Sequence, residues 1–546
     1  MAVLDRARDY VESTSSDGRL FAAGYLLLLP FYLAPLRAAA PLFPGLDLPF
    51  HLSLADMLAK SGRPDSPYAA FYQGGLTMAP YAAHYLGLWL LSRLMPLLTA
   101  HTVLVVAYVA GLPLAMASLL KALGRSRVPA VLAFPVAYNL ALHYGFITFA
   151  FSLPVLLLFL AQLCQLLVVP PPVLRAWLLT AALAVLLFLC HLQNFLYGLG
   201  AAVAFVLVSA VPWRRRLGSL TALLPSVALL AWWQARVRAG APPAGQALGQ
   251  AWQAMKTSRL GELPAGAHPW LADWKARLLG LGSNTLRGFT DRSDVKAASA
   301  LLLVIAVYFV MGVAGRYLLP GPSREMPRMR AAVWAAFLGA LAAYLLLPHH
   351  LNAFEIVTFF PRFAPLVVLM MLPLISRGLG RYTGALGAVL IVPALVFGVF
   401  WGVELSRHYR RYAEETGDFR AVIAAALPGH RLISLPMERH SKVMSIESAL
   451  VGLGSFYPAL APAPGSMVSL PYCGMRHIPC TRKAALPDPT PWAAERFDPA
   501  KAIPAFDYFL VRSPVLRFHP FGEHRAQVEL VSRRNHWSLY RRKDGR

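Results

Sequence analysis

The chain is predicted to be a mainly α polytopic membrane protein, with about 11 transmembrane helices and a small C-terminal α/β extracytoplasmic domain. Three observations lead there. Hydrophobic residues make up 57% of the 546 positions, charged residues only 14%, and mean hydropathy is +0.52; a soluble protein carries about a quarter charged residues. Long apolar runs recur, among them Leu178–Cys190, Ala300–Val313 and Gly384–Val403, each of the kind that partitions into a bilayer core. After Val403 the chain changes character: basic, mixed in polarity and rich in short β-like runs.

In chain order, Arg6 and Arg8 precede the first apolar stretch, and Ala38-Ala39-Ala40 resembles a small-residue cleavage site. The long polar leader and Pro41 favour a retained signal-anchor span over a cleaved signal. The expected spans are 19–37, 101–121, 128–143, 146–169, 173–191, 194–211, 217–235, 298–316, 331–348, 362–376 and 383–403. With a cytoplasmic N-terminus, the basic clusters Lys121/Arg125/Arg127, Arg175, Arg214–Arg216, Arg324/Arg328/Arg330 and Arg377/Arg381 all fall on the cytoplasmic side. That agreement is the positive-inside pattern. It holds only if Met78–Pro96 is an interfacial helix and not a span; its His84 and Arg93 fit that assignment.

The expected division is a transmembrane domain over 1–404 and an extracytoplasmic domain over 405–546. Two large outer loops are expected, 38–100 and 236–297, with part of the second mobile. In the C-terminal domain a helix over Asp418–Leu427 precedes strands at Arg431–Leu435, Tyr508–Val511, Gln527–Val531 and Trp537–Tyr540. The net charge of +25 reads as loop topology and contact with anionic lipid or an anionic substrate. No groove-reading or base-stacking motif accompanies it, so nucleic acid is not an expected partner.

Cys164 and Cys190 lie inside apolar runs and read as packing residues. Cys473 and Cys480 are disulfide candidates if their segment is extracytoplasmic. Free thiols, or a metal site with His477, are the alternatives, although two sulfurs and one imidazole are an incomplete zinc set.

The polar residues that interrupt apolar runs fall on the outer side of this topology. Asp47, His51, Asp56 and His84 occupy the first outer loop, His143 and His191 outer turns, and His349, His350 and Glu355 the loop before Arg362. Each alone has an ordinary explanation: a histidine at a helix end responding to the dipole, Asp47 capping the helix that Pro49 begins, Arg362 snorkelling to headgroups. Together they put titratable groups at one membrane face, where such residues mark functional sites. Walker, dinucleotide, His-Glu-x-x-His and Gly-x-Ser-x-Gly motifs are all missing.

The order of parts, with Asp47-Leu48-Pro49-Phe50-His51-Leu52-Ser53-Leu54-Ala55-Asp56, Ala79-Pro80-Tyr81, Phe506-Asp507-Tyr508-Phe509-Leu510-Val511 and Trp537-Ser538-Leu539-Tyr540, resembles the GT-C superfamily of polyprenyl-phosphate-sugar-dependent glycosyltransferases. The resemblance implies hexosyl or pentosyl transfer to an envelope glycan, lipid or protein, in a bacterial inner membrane. It implies Asp47 as general base with His51 assisting, and His84, His143, His191, His349, His350, Glu355 and Arg362 as substrate contacts. Many members have two adjacent acids in the first loop, whereas Leu48 follows Asp47 here. A divalent cation, Mg or Mn, therefore enters only if Asp56 supplies the second carboxylate. The competing class is a non-enzymatic subunit or scaffold in envelope polysaccharide assembly or export.

Overall fold

The computed structural model describes residues 2–61, 63, 65–75, 77–168, 174–209, 211–238, 269–319, 329–349, 358–382, 384–473, 480–483, 486–487, 491–515 and 519–543. The chain is mainly helical, and its first helix, α1 (Ala2–Ala39), packs along the long helix Gly384–Glu415. Gly402 permits that approach, because a Cβ there would stand 2.8 Å from the Phe31 Cβ. Helices α4 (Leu97–Ala122) and α7 (Ile147–Val168) pack against each other, α7 in turn against α8 (Leu174–Cys190) and α9 (Leu192–Val208).

Among the described residues, five helices are long and apolar enough to cross a membrane: Ser16–Ala39, Leu97–Ala122, Ile147–Leu167, Ser293–Leu318 and Leu386–Glu415. The pair Trp213–Thr221 and Leu224–Arg236, bent by 46°, makes a sixth if it is one span. The other expected spans coincide with shorter apolar helices. Leu174–Cys190, Leu192–Val208 and Arg330–Leu346 have 17 residues each, about 25 Å of helix against a hydrocarbon core of about 30 Å. The expected span 128–143 is broken into a 3-10 turn, Val128–Leu132, and two five-residue helices, Ala133–Ala137 and Leu140–Tyr144. Pro129 and Pro135 remove backbone donors there, and the Asn139 side chain caps the second piece by accepting from Leu142 N at 3.1 Å.

In the first loop, α2 (Leu48–Lys60) and α3 (Ala82–Leu91) are the two helices expected. With ten residues, α3 is about 15 Å long and too short to span. The second loop contains a helix. Residues 239–268 lie outside the described part, but Pro269–Leu286 is a helix packed on Ser293–Leu318 and Phe363–Ile375. Lys275 and Arg277 interrupt its apolar run and hid it. Buried Arg277 donates to the Tyr344, Leu345 and Leu347 carbonyls at 3.3, 3.2 and 2.7 Å. That caps the end of Arg330–Leu346 with the charge its dipole favours.

The C-terminal region forms a five-stranded mixed sheet. Its strands are β2 (Arg431–Pro436), β3 (Met467–Val468), β5 (Tyr508–Arg512), β6 (Val528–Arg534) and β7 (Trp537–Arg542), in the order β3-β2-β5-β7-β6. β2 pairs in parallel with β3 and β5, while β7 runs antiparallel to β5 and β6. Every residue of central β5 is buried. A second, two-stranded ribbon joins the first loop to this domain: β1 (Tyr72–Gly74) pairs antiparallel with β4 (Cys480–Arg482). Bundle and domain share one apolar core, from Leu28 and Phe134 through Leu52 to Tyr457 and Leu510.

Two of the basic turns, those of Arg127 and Arg381, lie together at one end of the bundle. Arg127 pairs with Asp17 at 3.3 Å, and Arg381 donates to the Arg316 carbonyl at 2.7 Å. At 1.5 Å per residue, Asp17 lies about 33 Å along α1 from Ala39, whose carbonyl accepts from Arg420 at the opposite end.

Candidate active site at the junction of the first loop and the C-terminal domain

Asp47 occupies the N-cap position of α2, but its side chain makes no capping hydrogen bond. Its backbone N–H donates to the Tyr144 carbonyl at 2.9 Å. The turn that supplies this carbonyl requires Gly145, which has φ +83° and whose Cβ, if present, would stand 2.5 Å from the Leu48 nitrogen. The carboxylate is thus released from helix capping and presented elsewhere: the Tyr472 hydroxyl of the C-terminal domain donates to Asp47 Oδ1. Burial pushes the Asp47 pKa up to about 6, against the Tyr472 hydrogen bond and the Arg362 charge, which both favour the anion.

His51 lies one turn along α2, with Nδ1 2.7 Å from the Tyr85 hydroxyl and its ring 6.2 Å from that of Tyr472. Tyr472 therefore touches both. Next comes His84, its ring 6.2 Å from His51, 6.3 Å from His101 and 5.3 Å from Phe151. Both ring nitrogens of His84 and of His101 are buried without a hydrogen-bond partner. Burial and the neighbouring histidines hold His84 far below the ordinary imidazole pKa, so it is neutral.

Arg362 ends the 3-10 turn Phe360–Arg362, is buried, and places its guanidinium 3.7 Å from the centre of the Phe146 ring. Its charge acts on Asp47 and on Tyr81. Tyr81, with φ 72°, opens α3 and meets the His191 ring edge-on at 4.9 Å. Asp47, His51, His84, His191 and Arg362, drawn from four segments, are thereby linked through Tyr472, Tyr85 and Tyr81.

The other described candidates make different contacts. His143 Nδ1 lies 3.0 Å from the Arg287 carbonyl, and its ring packs on Phe289 at 5.5 Å, beside a separate pair of His408 and Asp291 at 2.9 Å. His349 packs on Phe360 at 5.6 Å. His350, Glu355 and His477 lie outside the described residues. Asp56 accepts from Lys60 and from the Tyr68 hydroxyl, both at 2.9 Å. Both bonds fall on Oδ2, where a lysine ammonium already sits, and among the described residues no three His, Cys, Asp or Glu side chains are grouped to hold a cation. The residues present do not fit a divalent metal at Asp56, and no step below passes through one. Cys473 and Cys480 are bonded to each other, with Cα atoms 5.0 Å apart.

Sequence reasoning missed Tyr472, Tyr81, Tyr85 and His101. Tyr81 alone left a trace, in Ala79-Pro80-Tyr81. Tyr472 is separated from Asp47 by 425 positions, and nothing in its local sequence marks it.

No family model matches the sequence, and no curated protein does. Among solved structures, the chain resembles the arabinofuranosyltransferase AftD from Mycobacteria, with a TM-score of 0.51 and 13% identity over 96% of this chain. It spans 40% of the length of AftD. ArnT from Cupriavidus metallidurans aligns over 95% of this chain and 97% of its own, at 12% identity and a TM-score of 0.42. The likeness to AftD shows that the two share a fold.

Proposed function

We propose that the chain is an integral membrane glycosyltransferase that moves a sugar from a polyprenyl-phosphate donor to an envelope glycan, lipid or protein. The observation that carries this reading is Asp47, a carboxylate freed from helix capping, with its pKa raised to about 6 and the Arg362 charge acting on it, in a chain with the AftD-like fold. A base poised near neutral pH beside a buried guanidinium suits attack by a hydroxyl and departure of a phosphate.

In the proposed reaction the acceptor hydroxyl loses its proton to Asp47 and its oxygen bonds to the anomeric carbon. The bond from that carbon to the phosphate oxygen breaks, and polyprenyl phosphate leaves with the electron pair, its charge met by Arg362. His51, held by Tyr85, lines the acceptor side. His84 and His191 extend the wall toward the bundle, where apolar helix faces suit a lipid tail.

The topology that goes with this reading has eleven spans, a cytoplasmic N-terminus and an extracytoplasmic C-terminal domain. The basic turns of Arg127 and Arg381, at the end of the bundle far from Ala39, support it. A reporter fused after residue 404, active only outside the cytoplasm, tests the orientation.

The activity test is complementation of a deletion strain, with analysis of its envelope glycans and lipid carriers. The wild-type chain should clear accumulated polyprenyl-phosphate sugar, while Asp47→Asn, present at equal level, should not. Full complementation by Asp47→Asn would overturn the enzyme reading in favour of a scaffold.

A further inference from the structure

The segment that carries Tyr472 is stitched to the first loop on both sides. Leu470 N donates to the Tyr72 hydroxyl at 2.9 Å, and Lys483 N donates to the Phe71 carbonyl at 2.8 Å. Between them, Tyr72, Gln73 and Gly74 pair with Arg482, Thr481 and Cys480. The same Cys480 is bonded to Cys473, the neighbour of Tyr472 in the chain. The Tyr472 ring stacks on Trp492 at 5.8 Å and 21° and meets Phe50 of α2 at 5.1 Å. Tyr472 is thus fixed by a ribbon, a covalent bond and two aromatic neighbours, with its hydroxyl on Asp47 Oδ1.

We propose that Tyr472 is a positioning residue for the Asp47 carboxylate and that the Cys473–Cys480 disulfide is the clamp that holds it there. The C-terminal domain then completes the site only in its oxidised form. This deepens the reading of Asp47 as the base and rests on it. With Oδ1 engaged by the phenol, Oδ2 is the oxygen left to take the acceptor proton. A thiol reductant opens the clamp: two electrons and two protons convert the disulfide to two thiols, and the reductant becomes a disulfide. The freed segment regains the conformational entropy that the closed loop had excluded, and the bond from Tyr472 to Asp47 loosens.

Asp47 is faced by Tyr472 from the C-terminal domain, by Arg362 from the turn Phe360–Arg362, by Tyr85 from α3 and by Tyr144 from the turn before α7. Of these, Tyr472 is the group whose hydrogen bond the clamp controls. Loss of that bond leaves burial less opposed and moves the Asp47 titration upward.

The test uses the full chain in detergent and needs no sugar substrate. Dicyclohexylcarbodiimide adds to protonated buried carboxyls, and mass spectrometry of the peptide holding Asp47 reads the labelled fraction against pH. The oxidised wild type should show a midpoint near about 6. Tyr472→Phe, which keeps the ring in its stack, should raise the midpoint by about one pH unit, the worth of one hydrogen bond to a charged group. Dithiothreitol on the wild type, and Cys473→Ser with Cys480→Ser, should raise it in the same direction, while dithiothreitol should add nothing to Tyr472→Phe. Asp56, held by Lys60, should keep its own labelling profile throughout and serves as the internal reference.

An unchanged midpoint in Tyr472→Phe overturns the positioning role. An unchanged midpoint in the reduced wild type, an experiment that needs no variant to fold, overturns the clamp. A shift in labelling without sugar transfer by the wild type would sink the transferase reading and leave the clamp standing.

Discussion

Asp47 and Asp56 sit near opposite ends of one helix, both with raised pKa values caused first by burial. Their partners differ in origin. Asp56 is neutralised from within its own helix, by Lys60 one turn on, and by nearby Tyr68. Lys60 also donates to the Ala463 and Ser466 carbonyls, both at 3.2 Å, so the pair bolts α2 to the C-terminal domain. Asp47 takes its partners from far along the chain, a phenol from the C-terminal domain and a guanidinium from the turn at 360–362. A carboxylate satisfied by a local pair is a structural part. One held by groups from remote parts of the chain, with no lysine beside it, is poised for chemistry.

The largest expected effect separates the two outright. Asp47→Asn should lower sugar transfer by about 10²–10⁴-fold, the usual worth of a general base, with little change in thermal stability. Asp56→Asn should retain transfer and lower the melting temperature in detergent. If transfer falls equally in both, the comparison fails.

The pH profile sharpens the same contrast. A base must be deprotonated to act, so transfer should decline as pH falls through the raised Asp47 pKa of about 6. Arg362→Gln removes a charge that favours the anion and should move this acid limb to higher pH. An acid limb near 4, the ordinary carboxylate range, would show that another group limits the rate.

Gly145→Ala acts on Asp47 alone. A Cβ placed 2.5 Å from the Leu48 nitrogen, at φ +83°, should displace the start of α2 and cost about 2 kcal/mol. Transfer measured at equal protein level should fall several-fold, with the Asp56–Lys60 pair intact. Lys60→Met should cost about 2 kcal/mol by leaving the buried Asp56 with the Tyr68 hydroxyl and no cation, as a double-mutant cycle with Asp56→Asn in thermal melts would show. The smallest effect belongs to Tyr85→Phe. It removes the partner of His51 Nδ1 and should cost about 1 kcal/mol, read from the same melts.

Much of the fold was legible because membrane burial writes itself into composition. Apolar runs located the helices, and the four expected strands recur as β2, β5, β6 and β7 with shifted ends. The short α3 was legible too, through His84 and Arg93 in an otherwise apolar stretch. Helix Pro269–Leu286 was not, because Lys275 and Arg277 gave it a soluble look that buried contacts to 344–347 reverse. The broken segment 128–143 read as one span, since apolar composition does not register where Pro129 and Pro135 interrupt the backbone.

For the site, residue order alone places acids and histidines in a few turns of an apolar chain, with Asp47 at a helix start. The Asp56–Lys60 pair was not read there, although i, i+4 spacing on a helix is a local property. Folding sets the rest: Asp47 does not cap its helix, His143 turns away toward Arg287, and Tyr472 closes over Asp47. The reason is one of range. Helical spacing and hydropathy act over a few residues, whereas a hydrogen bond across 425 positions exists only after the C-terminal domain has docked.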